Sequence, residues 1–279
     1  MDRRNKSAAV VAVRALAFVA WMNSWGPLST SPHCALMISA AVRAFSGPTK
    51  KAAALEAWHV AAIVKACCRA DSPDHDFMFG TALVTCFMLL CRYDDLKRLC
   101  FEKDRFELFD THARFFLETR KTDQNYGGQW IDIAAVAPTA ASFGISCYDL
   151  LLDMRARAHG VGPLLRRIYK RHGKHLAPPF VVAGMRTDLP VGAPMYMARQ
   201  AFVELLRQHL VSDCGLTADE AIFFSAHSPR AGGATEMVKQ KVPTQLIQDL
   251  AGTVGADWIK CYDRVDLARR LAASATLGF

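Results

Sequence analysis

The chain lacks the signatures of several common chemistries. It has no G-x-x-x-x-G-K-[ST] loop to cradle a nucleotide, no G-x-G-x-x-G turn for a dinucleotide and no H-E-x-x-H helix to hold zinc. The GVGP at residues 160–163 is too short, and in the wrong context, to stand in for such a loop. Nine cysteines are scattered without metal-ligand spacing, with only Cys67 and Cys68 close together, so they read as reduced thiols of an intracellular protein. No stretch reaches the roughly 18 uninterrupted apolar residues of a membrane span. The basic residues 1–6 and the apolar residues 8–22 imitate a leader. Arg14 interrupts that run and no small-residue cleavage site follows before Pro27, so a buried amphipathic helix is the expectation. Acid is in deficit, with 26 Asp and Glu against 34 Lys and Arg and a net charge of +8. That balance favours a polyanionic partner.

What the chain does carry is concentrated between Phe224 and Tyr262, FSAHSPRAGGATEMVKQKVPTQLIQDLAGTVGADWIKCY. His227 and Arg230 stand three apart, so on the first turn of a helix both side chains can face one anionic group. Ser228 suits an N-cap and Pro229 the first helical position, where its missing N–H costs nothing. Gly232 and Gly233 then sit inside the helix, at about 1 kcal/mol each relative to alanine, which implies that another backbone packs closely there. Val242-Pro243-Thr244 starts a second helix, TQLIQDLA, which Gly252 ends.

This stretch resembles the C-terminal box of the tyrosine recombinases, the phage-integrase superfamily, and most closely the subset encoded by eukaryotic mobile elements. The resemblance makes His227 and Arg230 the His-x-x-Arg pair and Tyr262 the nucleophile. It implies a mainly helical α+β fold, in which a catalytic domain with a small antiparallel sheet (residues 49–279) follows a truncated helical core-binding domain (residues 1–48).

The remainder of the chain is read in that frame. Helices are expected over residues 8–25 and 32–45, and SGPTKK at 46–51 reads as a linker. A helical pattern follows from Ala52 to Arg69, and a strongly apolar helix from Asp76 to Cys91 delivers CRYDDLKRL. The family places its first catalytic arginine at such a helix end, followed by an acid and a leucine, an arrangement that Arg92, Asp95 and Leu96 match. Alone, the same residues would be an ordinary charged turn. Strands are expected over Ala113 to Thr119 and Gln129 to Ala135, joined by turn formers. The family's hairpin lysine matches Lys121 in KTDQ, although a lone hairpin lysine usually protects a sheet edge. The run RARAHGVGPLLRRIYKRHGKH from Arg155 carries seven Lys or Arg and no acid. Its functional reading is a phosphate-tracking face built from Arg155, Arg157, Arg166, Arg167, Lys170, Arg171 and Lys174, and its bland reading is a solvated helix. A long helix over Tyr196 to Val211 and a capping box at Thr217 to Glu220 precede the C-terminal box.

The chemistry implied by the resemblance is DNA strand cleavage and rejoining through a 3′-phosphotyrosyl link. Arg92 and Arg230 would bind the non-bridging oxygens, Lys121 would protonate the leaving 5′-oxygen, His227 would assist proton movement, and Asp95 would orient the site. No metal or cofactor is required, because two guanidiniums supply the positive charge. The partners would be double-stranded DNA and further copies of the chain, as a dimer or tetramer on DNA. The compartment would be intracellular, and the nucleus if the source is eukaryotic. One departure stands out: nine residues before the tyrosine, where the family has histidine or tryptophan, this chain has Thr253. A shorter, uncharged donor there implies a penalty of about 3 kcal/mol in the transition state. Two function classes follow, an active recombinase or integrase and a DNA-binding descendant with weakened or lost catalysis.

Overall fold

In a computed structural model the chain divides into two units, residues 1–51 and 52–279. The described residues are 52–118, 127–139, 142–169, 175–185, 187 and 189–253. The expected helices over 8–25 and 32–45, and the linker, therefore lie outside them. The described part is mainly helical with a small antiparallel sheet.

The organising element is α2 (Asp74–Met88), which follows α1 (Ala57–Cys67). A helix that is apolar all round belongs in an interior, and α2 is buried at every residue from Phe77 through Phe87. Asp74 and Asp76 in its first turn complement the helix dipole. Gly80 lets α1 approach, since a Cβ there would collide with Cys67 and Cys68. The remaining elements are α3 (Tyr93–Leu96), α4 (Cys147–Arg157), α5 (Arg199–Ser212), α6 (Ala218–Ala221), α7 (Ser228–Lys239) and α8 (Thr244–Ala251). Helix α2 packs against α1, α4 and α7.

Strands β1 (Phe106–Leu108), β2 (His112–Leu117) and β3 (Gln129–Ala134) form an antiparallel sheet in that order. Alternation with period two turns Ala113, Phe115, Leu117, Ile131 and Ile133 inward. Phe106, Phe115 and Phe101 meet there, with Phe106 and Phe115 4.7 Å apart between ring centroids. On the outer face Arg114 lies over Trp130 at 4.5 Å and pairs with Glu107. A second antiparallel pair joins β4 (Ile168–Tyr169) to β5 (His175–Leu176).

Among the boundaries that differ from the sequence expectation, two have a clear backbone cause. Residues 52–56 are extended rather than helical, because Ala53 N–H donates to Phe223 O and Leu55 N–H to Ser228 O. The long apolar helix stops at Met88 rather than Cys91, since Leu90 adopts φ 50° and turns the chain. The two interior glycines behave as expected. A Cβ on Gly232 would land on the Leu55 carbonyl, and one on Gly233 on the Phe87 carbonyl, so α7 lies directly against the backbone of α2 and of the extended segment before α1.

Candidate active site

The turn after α2 builds one side of the site. Leu90 is fully buried in the left-handed region, which a residue with a Cβ occupies at a cost of order 1 kcal/mol or more. The turn points its carbonyl at Arg230, whose Nη1 donates to Leu90 O at 2.6 Å and to Ala251 O at 3.0 Å. Arg230 is only 3% exposed. One guanidinium thus ties together the end of α2, the first turn of α7 and the end of α8. Two residues past Leu90, Arg92 caps α3 in extended conformation, and its backbone N–H donates to Asp95 Oδ2 at 3.0 Å. Asp95, 4% exposed, fixes the Arg92 backbone rather than its guanidinium.

Helix α7 supplies the other side. Its N-cap is His227 and not Ser228 as the sequence pattern implies. The Ser228 hydroxyl reaches back to accept from Ser225 N–H at 2.9 Å, and Ser225 Oγ accepts from His227 N–H at 3.2 Å. Arg207 on α5 holds the preceding loop by donating to Phe224 O and Ile222 O. The His227 ring keeps one side in solvent, yet its pKa is lowered. Burial of the rest of the ring is the largest cause, followed by the positive charges of Arg199, Arg230 and Arg92, while Asp94 opposes them. The neutral imidazole is therefore favoured, the form able to accept a proton.

The α8 end closes the site. Gly252 takes φ 56° and terminates the helix, so Thr253 follows immediately beside the carbonyl that Arg230 holds. Its N–H donates to Gln248 O at 3.1 Å. Among the described residues two buried polar atoms of this region have no hydrogen-bond partner, Arg92 Nη1 and Thr253 Oγ1. Glu102 Oε2, Arg155 Nε and Arg166 Nε share that state elsewhere, but only these two lie in the region of the cationic cluster, where an open donor suits an anionic ligand.

Of the sequence-nominated residues, the structure brings Arg92, Asp95, His227, Arg230 and Thr253 to one region. Lys121, in the connection between β2 and β3, and Tyr262 lie outside the described residues, as do Lys170, Arg171 and Lys174. The described arginines of the basic run, Arg155, Arg157, Arg166 and Arg167, differ in their surroundings. Helix α4 ends at Arg157, and the chain turns back toward β4. Arg157 is consumed internally, donating to Ser72 O, Ala70 O and Asp74 while lying over Phe77 at 4.2 Å. Arg166, 6% exposed, donates to Ala158 O and Val161 O. Arg157 and Arg166 each donate to backbone carbonyls of neighbouring loops. Arg155 is half-buried over Phe106, whereas Arg167 is exposed beside Tyr169. Sequence reasoning missed Arg199, which no local pattern singles out.

No family model and no curated protein sequence matches the chain. Among solved structures, it is similar to the XerH site-specific recombinase bound to palindromic difH substrate, with TM-score 0.49 and 14% identity over 81% of this chain and 54% of that one. It is similar to the FLP recombinase in a Holliday junction complex, with TM-score 0.43 and 12% identity over 95% and 53%. It is also similar to a lambda integrase dimer bound to a COC′ core site, with TM-score 0.42 and 17% identity over 85% and 66%. The chain thus spans about half the length of the first two. Scores below 0.5 leave the functional reading to rest on the chain's own residues. Among the described residues no helix is long and apolar enough to cross a membrane.

Proposed function

We propose that this chain cleaves and rejoins DNA strands as a tyrosine recombinase, with Tyr262 as nucleophile. The observation that carries the reading is that Arg92, Arg230 and His227 lie within reach of one another's charge in a region that also holds two buried polar atoms unpartnered among the described residues, Arg92 Nη1 and Thr253 Oγ1. A cluster of fixed cations with open donors suits a phosphodiester, whose non-bridging oxygens gain charge as the nucleophile attacks.

In this reading the Tyr262 oxygen bonds to phosphorus as the bond to the 5′-oxygen breaks, leaving a 3′-phosphotyrosyl link and a free 5′-hydroxyl. The phenolic proton passes to neutral His227, and Lys121 donates a proton to the departing oxygen. Arg230, its Nη1 held by two carbonyls, has its fork fixed before DNA arrives, so little ordering remains to be done at the transition state. Thr253 contributes the hydroxyl donor that a larger residue would otherwise supply. Integration or recombination between two DNA segments further requires several copies of the chain on DNA.

The test is covalent trapping on a nicked duplex from which the cleaved fragment diffuses away. Wild-type protein is expected to form a protein–DNA adduct stable to denaturant, and Tyr262→Phe to bind DNA equally but form none. An adduct that survives Tyr262→Phe would assign the attack to another residue. DNA binding with no adduct from wild type would leave a DNA-binding descendant.

A further inference from the structure

We propose that Arg199 is an additional cationic group of this site and binds the DNA phosphate next to the one held by Arg92 and Arg230. The inference rests on the recombinase reading above and extends it to a residue that neither the motif nor the catalytic series contains.

The geometry begins at Tyr93, the residue after Arg92. Its hydroxyl donates to Met197 O, and its ring lies 5.8 Å from that of Phe202. These two contacts flank the start of α5 and lock its first turn against the turn that carries Arg92. Arg199 is the first residue of α5, and no acid stands in that turn. The turn therefore offers both the guanidinium and the positive end of the helix dipole. Arg199 is exposed and makes no ion pair among the described residues. The acid whose charge it shares, Asp94, already pairs with Lys97 at 2.7 Å. Around His227 the charged groups are Arg199 on α5, Arg230 on α7, and Arg92 with Asp94 at α3. Three arginines face two acids, Asp94 paired with Lys97 and Asp95 engaged on the Arg92 backbone N–H, so the cluster keeps an excess of positive charge that an anion can join.

Position decides which phosphate. Arg92 Nη1 and Thr253 Oγ1 are buried, so the reacting phosphate must enter deeply to reach them. Arg199 is exposed, so the phosphate assigned to it is one that stays at the surface, the next along the same strand. Its contribution is then to place the backbone and to keep His227 neutral before the phosphate arrives, which makes it a positioning residue.

The experiment measures binding of a mixed-sequence duplex across a salt series, with wild type, Arg199→Ala and Arg199→Lys. Loss of one phosphate contact should reduce the magnitude of the log K against log salt slope by about 0.9 in Arg199→Ala and leave Arg199→Lys near wild type. In parallel, NMR titration of the His227 imidazole in the free proteins should show a higher pKa in Arg199→Ala than in wild type, a readout that a purely structural role would not move. Wild-type binding with an unchanged slope in Arg199→Ala overturns the Arg199 assignment alone. A wild-type chain that does not bind the duplex overturns the recombinase reading, and this inference with it. Arg199→Ala that is misfolded by circular dichroism, with Arg199→Lys showing a reduced slope, also overturns it.

Discussion

Arg230 Nη1 donates to Leu90 O at 2.6 Å, so a residue of α7 is fastened to the left-handed turn that immediately precedes Arg92. The two arginines sit 138 positions apart in the chain. Arg230 is held by the carbonyls of Leu90 and Ala251 and the Arg92 backbone by Asp95, so each is fixed by its own partners. The strained turn at Leu90 thereby acquires a purpose: it aims an acceptor at the buried guanidinium and ends α2 where Arg92 must begin.

That relationship makes Arg230→Lys a demanding substitution even though charge is kept. A single ammonium on a flexible stem does not reproduce the planar fork that reaches Leu90 O and Ala251 O. The expected outcome is a loss of about 1–3 kcal/mol in stability, read from the urea midpoint. Adduct formation should be abolished while non-specific DNA binding changes little. Unchanged stability would mean that the two carbonyl bonds contribute nothing.

The glycines of α7 give a second prediction. Gly232→Ala and Gly233→Ala each place a methyl on a backbone carbonyl, of Leu55 and Phe87 respectively. Backbone yields less readily than a side chain, so each should cost roughly 1–3 kcal/mol despite alanine's better helix propensity. Gly127→Ala, where nothing lies within 4 Å, is the control and should stay within about 0.5 kcal/mol. Equal midpoints for all three would contradict the close approach of α7 to α2.

Much of this framework was legible in the sequence, for reasons that are local. The glycine pair, the Val242-Pro243 break, the Gly252 stop and the alternation in β2 and β3 each express a backbone or packing requirement that a short window contains. Side-chain direction was not legible. Arg157 and Arg166 belong to a run that looks like a phosphate track, yet once α4 ends the chain turns back and both point into carbonyl-lined loops. Ser228 has the chemistry of an N-cap, but the cap position fell to His227 because the Ser228 hydroxyl was drawn to Ser225 N–H. Arg199 was invisible for a different reason. Its place in the site depends on Tyr93 meeting Met197, a contact between elements far apart in the chain.

Histidine 59 should make stability depend on pH below neutrality. Its Nδ1 accepts from Glu56 N–H at 3.1 Å and so must be unprotonated in the folded chain. Burial holds the His59 pKa below its ordinary 6.5, with the Glu56 carboxylate opposing. The unfolded chain therefore binds the proton more readily, so stability is full above about pH 6.5 and falls as pH drops toward the folded pKa. Thermal melts of wild type and His59→Asn from neutral to mildly acid pH check this, and the variant should show a shallower fall. Parallel curves would remove His59 from the acid dependence.

Thr253 offers the sharpest separation of stability from function. Its Oγ1 is buried and unpartnered, so in the free protein the hydroxyl is a desolvated group with nothing to offset its cost. Thr253→Val keeps the branched shape and removes only that hydroxyl. If the residue served packing alone, the substitution would stabilise the chain or leave it unchanged and touch nothing else. If the hydroxyl is held open to donate to the phosphate in the transition state, the same substitution should slow adduct formation by roughly ten- to a hundredfold. Stability should meanwhile hold or rise, by up to about 1 kcal/mol. Opposite movements of the two measurements identify a group whose cost in the folded state is retained for catalysis. A Thr253→Val protein that forms the adduct at the wild-type rate would reduce Thr253 to a residue that follows the end of α8 and happens to lie beside the site.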